Sequence, residues 1–279
     1  MREIHVNEIT AKVAELCIKA CIDVAPDIRK WMEGAYSAES GTARQVLADM
    51  LKNHEIAAKS RLPICQDTGM AVVFLEIGQD VRVVGGDIRQ AVNDGVAKGY
   101  EKGYLRKSVV ADPMERTNTG DNTPAVIHFD IVPGETLRIT VCPKGFGSEN
   151  MSRLKMLVPA DGMAGIEDFV IETVKIADAN PCPPIVVGVG IGGTFDYAAN
   201  MAKRALLRKI GSVNPNPFWG SVEANFLAKI NALNIGPAGF GGRGTAMAVF
   251  INTYATHIAG LPVAVNLGCH VNRHEEATL

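Results

Sequence analysis

The sequence predicts an α/β fold in which mixed sheets are flanked by helices. Three observations predict it. Short apolar runs of strand length, Met70–Ile77, Ile185–Gly193 and Leu261–Leu267, are bounded by Pro, Gly and Asn. Stretches of helical period lie between such runs, for example Ile88, Val92, Val96 and Ile166, Val170, Val174. The pair of strand patterns around Pro133-Gly134 reads as a hairpin, so antiparallel pairs are expected beside strand–helix units.

Composition sets the limits. The chain has 279 residues, 47% of them hydrophobic, enough for one domain over 1–279 with a helical amino-terminal part over about 1–60. A net charge of −2 supplies no field for nucleic acid or a membrane surface. No apolar run has the length of a membrane span. The opening Met1-Arg-Glu-Ile-His-Val lacks a secretory apolar region, so a cytoplasmic location is expected. Six cysteines in such a context point to thiol or metal chemistry rather than disulfides.

In chain order, residues 8–58 read as helical. Ile9, Val13, Leu16 and Cys17 share one face, Pro26 restarts the helix, and Val46, Leu47, Met50 and Leu51 face inward from a helix over Ala43–Lys59. Cys17 and Cys21 are four residues apart on an apolar face; such a pair can bind a metal together, but the apolar face favours core packing. Arg61–Gly69 is a loop and Met70–Ile77 a buried strand. Asp87 is the expected N-cap of the helix through Val96. Arg116–Pro124 is a polar loop, followed by strands over Ala125–Val132 and Thr136–Cys142. Helices are expected over Asp161–Ala177, Phe195–Arg208 and Ser221–Asn234, and strands over Ile185–Gly193, Ala246–His257 and Leu261–Leu267. The glycine loop Pro143–Arg153 can aim successive N–H groups at an anion, and it is neither a P-loop nor a dinucleotide fingerprint. Gly236–Thr245 is a second glycine loop.

The chemistry concentrates in Arg61-Leu-Pro-Ile-Cys65-Gln66-Asp67-Thr68-Gly69. Thiol, amide, carboxyl and hydroxyl occupy consecutive positions in a loop that opens on a strand, a usual place for a site. Cys182, in Asn180-Pro-Cys-Pro-Pro184, also precedes an apolar run, and Cys269, in Asn266-Leu-Gly-Cys-His270, follows one. Three such thiolates can hold an iron–sulfur cluster and leave one iron without a protein ligand, the open position that Lewis-acid catalysis needs. They can equally be three ordinary buried cysteines, and their long spacings by themselves favour that reading. Arg106 is either a surface cation or a carboxylate clamp.

Cys65-Gln-Asp-Thr-Gly69, Asn118-Thr-Gly-Asp-Asn-Thr-Pro124, Lys144-Gly-Phe-Gly-Ser-Glu-Asn150, Cys182-Pro-Pro184, Gly192-Gly-Thr194 and Leu267-Gly-Cys269 together resemble the class I iron–sulfur fumarate hydratases and the related L-tartrate dehydratase α subunits. The likeness runs from about Arg44 to the carboxyl terminus. It implies a 4Fe-4S cluster on Cys65, Cys182 and Cys269, and the fold of the family's amino-terminal domain. It also implies a catalytic role for Asp67 and His257, the latter twelve residues before Cys269. Substrate contacts are implied at Gln66, Arg106, Gly145 and Gly147, although Phe146 stands where the family has glycine. The resemblance further implies a dicarboxylate substrate, with fumarate preferred to tartrate or mesaconate, and a separate β subunit carrying the remaining arginines and the base. An α–α dimer is expected as well. An iron–sulfur carrier or sensor without chemistry of its own is the contrasting class, disfavoured by three ligands instead of four and by the neighbouring Asp67 and Arg106.

Overall fold

The computed structural model describes residues 1–279. In chain order its elements are β1 (Arg2–His5), α1 (Val6–Ile22), α2 (Pro26–Ala38), α3 (Gly41–Ser60), β2 (Met70–Gly78), β3 (Val81–Val84), α4 (Ile88–Lys102), β4 (Val126–Val132), β5 (Leu137–Lys144), α5 (Phe146–Glu149), β6 (Arg153–Leu157), α6 (Gly162–Ala177), β7 (Ile185–Gly193), α7 (Phe195–Ala205), α8 (Pro217–Asn231), β8 (Ala246–Thr256), β9 (Leu261–Gly268) and β10 (Glu275–Thr278). The expected α/β architecture with mixed sheets and flanking helices is what forms. The chain divides into two compact units. The first holds Met1–Val24, Asn53–Phe146 and Arg273–Leu279, and the second holds Ala25–Lys52 and Gly147–Asn272.

In the first unit a four-stranded sheet has the order β10-β5-β2-β4. The apolar run Met70–Ile77 becomes its interior strand β2, pairing parallel with β4 and antiparallel with β5. This corrects the expected hairpin. β4 and β5 are adjacent in sequence but not in the sheet, because β2, apolar on both faces, takes a partner on each edge. The turn that joins them passes over the end of β2: Gly78 N–H donates to the Thr136 carbonyl and Asp80 N–H to that of Gly134. A Cβ on Gly78 would lie 2.2 Å from the Gly134 oxygen, so only glycine lets the crossing chain through.

Helices α1 and α4 cover this sheet. Ile9, Val13, Leu16 and Cys17 from α1, with Val92, Val96 and Tyr100 from α4, close on Val73, Leu75, Leu137, Ile139 and Val141. α1 starts on a capping box: the His5 ring accepts from Asn7 N–H, and the Glu8 carboxylate accepts from His5 N–H. Asp87 caps α4 as expected, accepting from Gln90 N–H at 2.8 Å. Four short strands escape a reading by period. β1 pairs parallel with β3, and β10 pairs with β5, in the first unit; β6 pairs with β9 in the second.

In the second unit the sheet order is β6-β9-β7-β8, with β7 and β8 parallel and β9 antiparallel to β7. The run Ile185-Val-Val-Gly-Val-Gly-Ile is explained by its two faces. Val187, Val189 and Ile191 pack with Ile166, Phe169, Val170, Val174, Phe226 and Ile230 from α6 and α8. Gly188 and Gly190 face α7, where an added Cβ would meet the carbonyls of Ala202 and Ala198 at 2.2 and 2.1 Å. Alternation of period two therefore bulks one face and thins the other. Glu223 on α8 is buried yet satisfied, by Arg208, Asn214 and Ile251 N–H. No helix is long and apolar enough to cross a membrane.

Candidate functional site

The candidate residues fall into two groups, one within each unit. In the first unit the Cys65–Gly69 loop enters β2 and is held by backbone contacts from distant segments. Tyr100, wholly buried on α4, donates its hydroxyl to the Thr68 and Gly69 carbonyls at 2.8 and 3.0 Å. Burial pushes its phenol well above the usual tyrosine range, so it remains a donor. Asn122, from the polar loop ahead of β4, donates to the Gly69 carbonyl at 3.1 Å and accepts from Ser108 and Val109 N–H. Thr68 donates its hydroxyl to the Arg106 carbonyl at 3.0 Å. These contacts draw the segment carrying Arg106 against the segment carrying Asp67. The Arg106 side chain itself is exposed, four residues past α4.

Asp67 is the most constrained member. One carboxylate oxygen accepts Gly69 N–H at 2.9 Å and the other Phe146 N–H at 2.8 Å. Its carbonyl accepts from the buried Arg273 at 2.6 Å. Gly145 lies so close that a Cβ there would stand 3.0 Å from the Arg273 guanidinium and 3.2 Å from the Asp67 carboxylate. The loop bearing Gly145 is therefore in direct contact with the candidate acid–base residue. Gln66 is exposed, and its amide oxygen faces the Cys65 thiol at 3.5 Å. Arg273 and Tyr100 were not singled out from the sequence. Each works through a backbone carbonyl far away in sequence, and composition carries no sign of that.

In the second unit the pairing of β7 with β9 sets Val186 opposite Gly268. Cys182, just ahead of β7, and Cys269, just after β9, therefore share one end of the sheet. His270 N–H donates to the Cys182 carbonyl at 3.2 Å. Cys182 has φ +56°, a left-handed conformation uncommon for a side chain of this kind, and such outliers gather at functional positions. Gly147 is the second residue of α5, and a Cβ on it would lie 3.3 Å from the Asn180 carbonyl, two residues before Cys182. His257 is elsewhere. It follows β8 in an exposed turn, its ring accepting from Ala259 N–H at 3.1 Å. The parallel register sets Ile185 opposite Ala246 and Gly193 opposite Thr256. His257 therefore stands at the opposite end of the sheet from Cys182, about 26 Å away at ~3.3 Å per strand residue. Within this unit the fold does not bring the histidine to the cysteine pair.

The thiols sort by environment in a way that suits an iron–sulfur centre. Cys65 and Cys269 are half-buried and Cys182 is exposed, all three in turns at strand ends. Cys17, Cys21 and Cys142 are buried. Burial pushes the Cys21 thiol up to about 11 and that of Cys17 further. A metal ligand must be a thiolate, so the two helical cysteines are poorly suited and the three loop cysteines fit. No ready-made group of three or more His, Cys, Asp or Glu side chains is spaced to hold a single metal ion. Alkylation of the apo chain with iodoacetamide at pH 8 is expected to modify Cys182, Cys65 and Cys269 first and to leave Cys17 and Cys21 for denaturant. Peptide mass mapping checks it, and early labelling of Cys21 would contradict this order.

The family model described as Fumarate hydratase (Fumerase) matches residues 10–278. A Methanocaldococcus jannaschii protein provisionally named L(+)-tartrate dehydratase subunit alpha is 43% identical over 275 residues, covering 95% of each chain. The L(+)-tartrate dehydratase subunit alpha of Escherichia coli is 32% identical over 273 residues, covering 96% of this chain and 89% of that one. The protein of the same name from Shigella sonnei is 31% identical over 273 residues. The chain belongs to the fumarate hydratase family, and it is a hydro-lyase.

Proposed function

We propose that this chain is the α subunit of a two-subunit, cytoplasmic iron–sulfur hydratase that interconverts fumarate and (S)-malate. The observation that carries the reading is the hydrogen bond from the Thr68 hydroxyl to the Arg106 backbone carbonyl, at 3.0 Å, which holds the segment bearing Arg106 against the Cys65–Asp67 loop. A cation, a carboxyl and a cluster thiol then lie on adjoining backbone, as hydration of a dicarboxylate requires.

Cys65, Cys182 and Cys269 would hold a 4Fe-4S cluster, which when bound supplies an iron without a protein ligand as a Lewis acid toward a hydroxyl oxygen. The remaining work falls to the chain itself. Arg106 pairs with one substrate carboxylate through its fork of N–H donors. Asp67, oriented by the Gly69 and Phe146 amides, keeps a free lone pair on each oxygen and moves the proton at the substrate carbon or the attacking water. Gln66 and the backbone of Gly145 and Gly147 orient the substrate. The separate β subunit provides the second carboxylate clamp and the partner base.

His257 enters this reading through a second α chain. Phe195, Tyr197, Tyr254 and Ile258 are exposed around it, with Tyr197 and Tyr254 in edge-to-face contact. That apolar area is what a twofold pairing of α chains would cover. A second substrate reading, L(+)-tartrate, is favoured by the names of the relatives. The experiment is to purify the chain with its β subunit without air and assay fumarate, L(+)-tartrate and mesaconate side by side. The reading expects the highest kcat/KM on fumarate and little turnover by α alone. A preference for tartrate would move the assignment to the second reading, and full activity of a lone α monomer would remove both the β subunit and His257 from it.

A further inference from the structure

Glu149 closes the short helix α5, two residues after Gly147, and in the second unit it is the centre of a polar cluster. One carboxylate oxygen is ion-paired to Lys203 of α7. The other accepts from the Asn266 amide at 2.9 Å. The same amide donates to the Ser152 hydroxyl at 3.0 Å, and Ser152 also accepts Leu267 N–H at 3.2 Å. Asn266 is only 6% exposed, and its amide oxygen has no partner. The cluster borders a cavity of about 310 Å³ lined by Glu149, Ser152, Ala199, Lys203 and Asn266. The Lys203 and Glu149 side chains are 17% and 26% exposed, so their attraction is screened far less than that of a surface pair.

The location gives this cluster a purpose. Asn266 and Leu267 are the last two residues of β9 before Gly268, three and two residues before Cys269. At its other end the same loop presses Gly147 against the Asn180 carbonyl, two residues before Cys182. Residues 147–152 are thus clamped between the two segments that carry the paired cysteines. The clamp on the Cys269 side consists of one carboxylate, one ammonium and one carboxamide.

We propose that Glu149 is a positioning residue for the dicarboxylate site: with Lys203 and Asn266 it locks the glycine loop to the strand that leads into Cys269, and so fixes the backbone of Gly147 against substrate. This deepens the reading above and rests on it. Glu149 does not touch the reacting atoms. It acts on substrate binding, so its loss is felt in KM and not in kcat.

The test uses the complete αβ enzyme, loaded with iron anaerobically, as Glu149→Gln, Lys203→Met and the double variant. Glu149→Gln keeps an acceptor for Asn266 and leaves Lys203 without its counter-charge. Each single variant should raise KM for the preferred dicarboxylate about tenfold, with kcat within about threefold and iron per chain and visible spectrum unchanged. The double variant, which removes both charges together, should recover a substantial part of the loss, as a coupled pair does. Amide hydrogen exchange over residues 146–152 should quicken in both singles. Unchanged exchange there would overturn the clamp. Faster exchange or a lower Tm with an unchanged KM would leave a purely structural ion pair and also overturn the proposal. Wild-type enzyme without turnover on any dicarboxylate would sink the proposed function, and the exchange measurement would then still decide whether the clamp exists.

Discussion

Serine at Cys65, Cys182 or Cys269 is expected to take the anaerobically reconstituted enzyme from about four irons per α chain to almost none, and activity with it. A serine hydroxyl stays protonated near neutral pH and is a hard ligand, whereas iron–sulfur clusters select soft thiolates. The three turns offer no fourth thiol to substitute: Cys17, Cys21 and Cys142 are buried. Cys142→Ser serves as the control. Its side chain is 5% exposed in β5, so a hydroxyl there costs stability, yet iron content should remain near wild type. Iron and acid-labile sulfide analysis on the same samples, beside a melting curve, separates the two effects. Loss of iron in Cys142→Ser with retention in Cys182→Ser would reverse the ligand assignment.

Asp67→Asn is expected to lower kcat by about 10²-fold or more while iron per chain stays close to wild type and KM moves less. The structure makes the interpretation stricter than isosteric replacement suggests. Both carboxylate oxygens accept backbone N–H groups, from Gly69 and Phe146. An amide has one oxygen, so either Gly69 or Phe146 must face an NH2 group, and one orphaned donor costs about 1–3 kcal/mol. Some fall in Tm therefore accompanies the substitution whatever its catalytic role. The decisive quantity is kcat measured well below that Tm, on protein with its full complement of iron. Near-normal kcat would make Asp67 a loop brace. Arg106→Lys supplies the contrast: its side chain is exposed and its backbone does the local bonding, so Tm should hold. The loss of the bidentate fork should raise KM strongly with a smaller change in kcat.

Much of the fold was legible because burial imposes a period on the sequence. The apolar faces of α1, α4 and α6 recur every three to four residues, and β2, β7 and β9 are continuous apolar runs, so each element could be placed from its own residues. The strands β1, β3, β6 and β10 are four or five residues long, too short to show a period, and they exist only because a neighbouring strand offers an edge. The β4–β5 hairpin is the instructive failure. Pro133-Gly134 does make a turn, but turn chemistry says nothing of which strands pair, and the apolar β2 outcompetes the local partner for both edges.

The candidate site divides in the same way. The sequence by itself determined the chemistry available: three cysteines beside strands, Asp67 within the first cysteine's loop, Arg106 after a helix, and two glycine loops, in an order that resembles one family along most of the chain. Residue identity carries that, because a thiolate, a carboxyl and a guanidinium are each suited to few tasks. Only the tertiary structure decided which of the segments bearing these groups are neighbours. It brought the segments of Cys182 and Cys269 to one end of a sheet through the β7–β9 register, and held the Arg106 segment against the Asp67 loop through Thr68 and Asn122. It enlisted Tyr100 and Arg273 as braces and sent His257 to the far end of the β7–β8 pair. Strand register and hydrogen bonds to backbone carbonyls belong to the packed chain. Carbonyls are common to every residue, so no pattern of side chains announces which of them a distant tyrosine or arginine will reach.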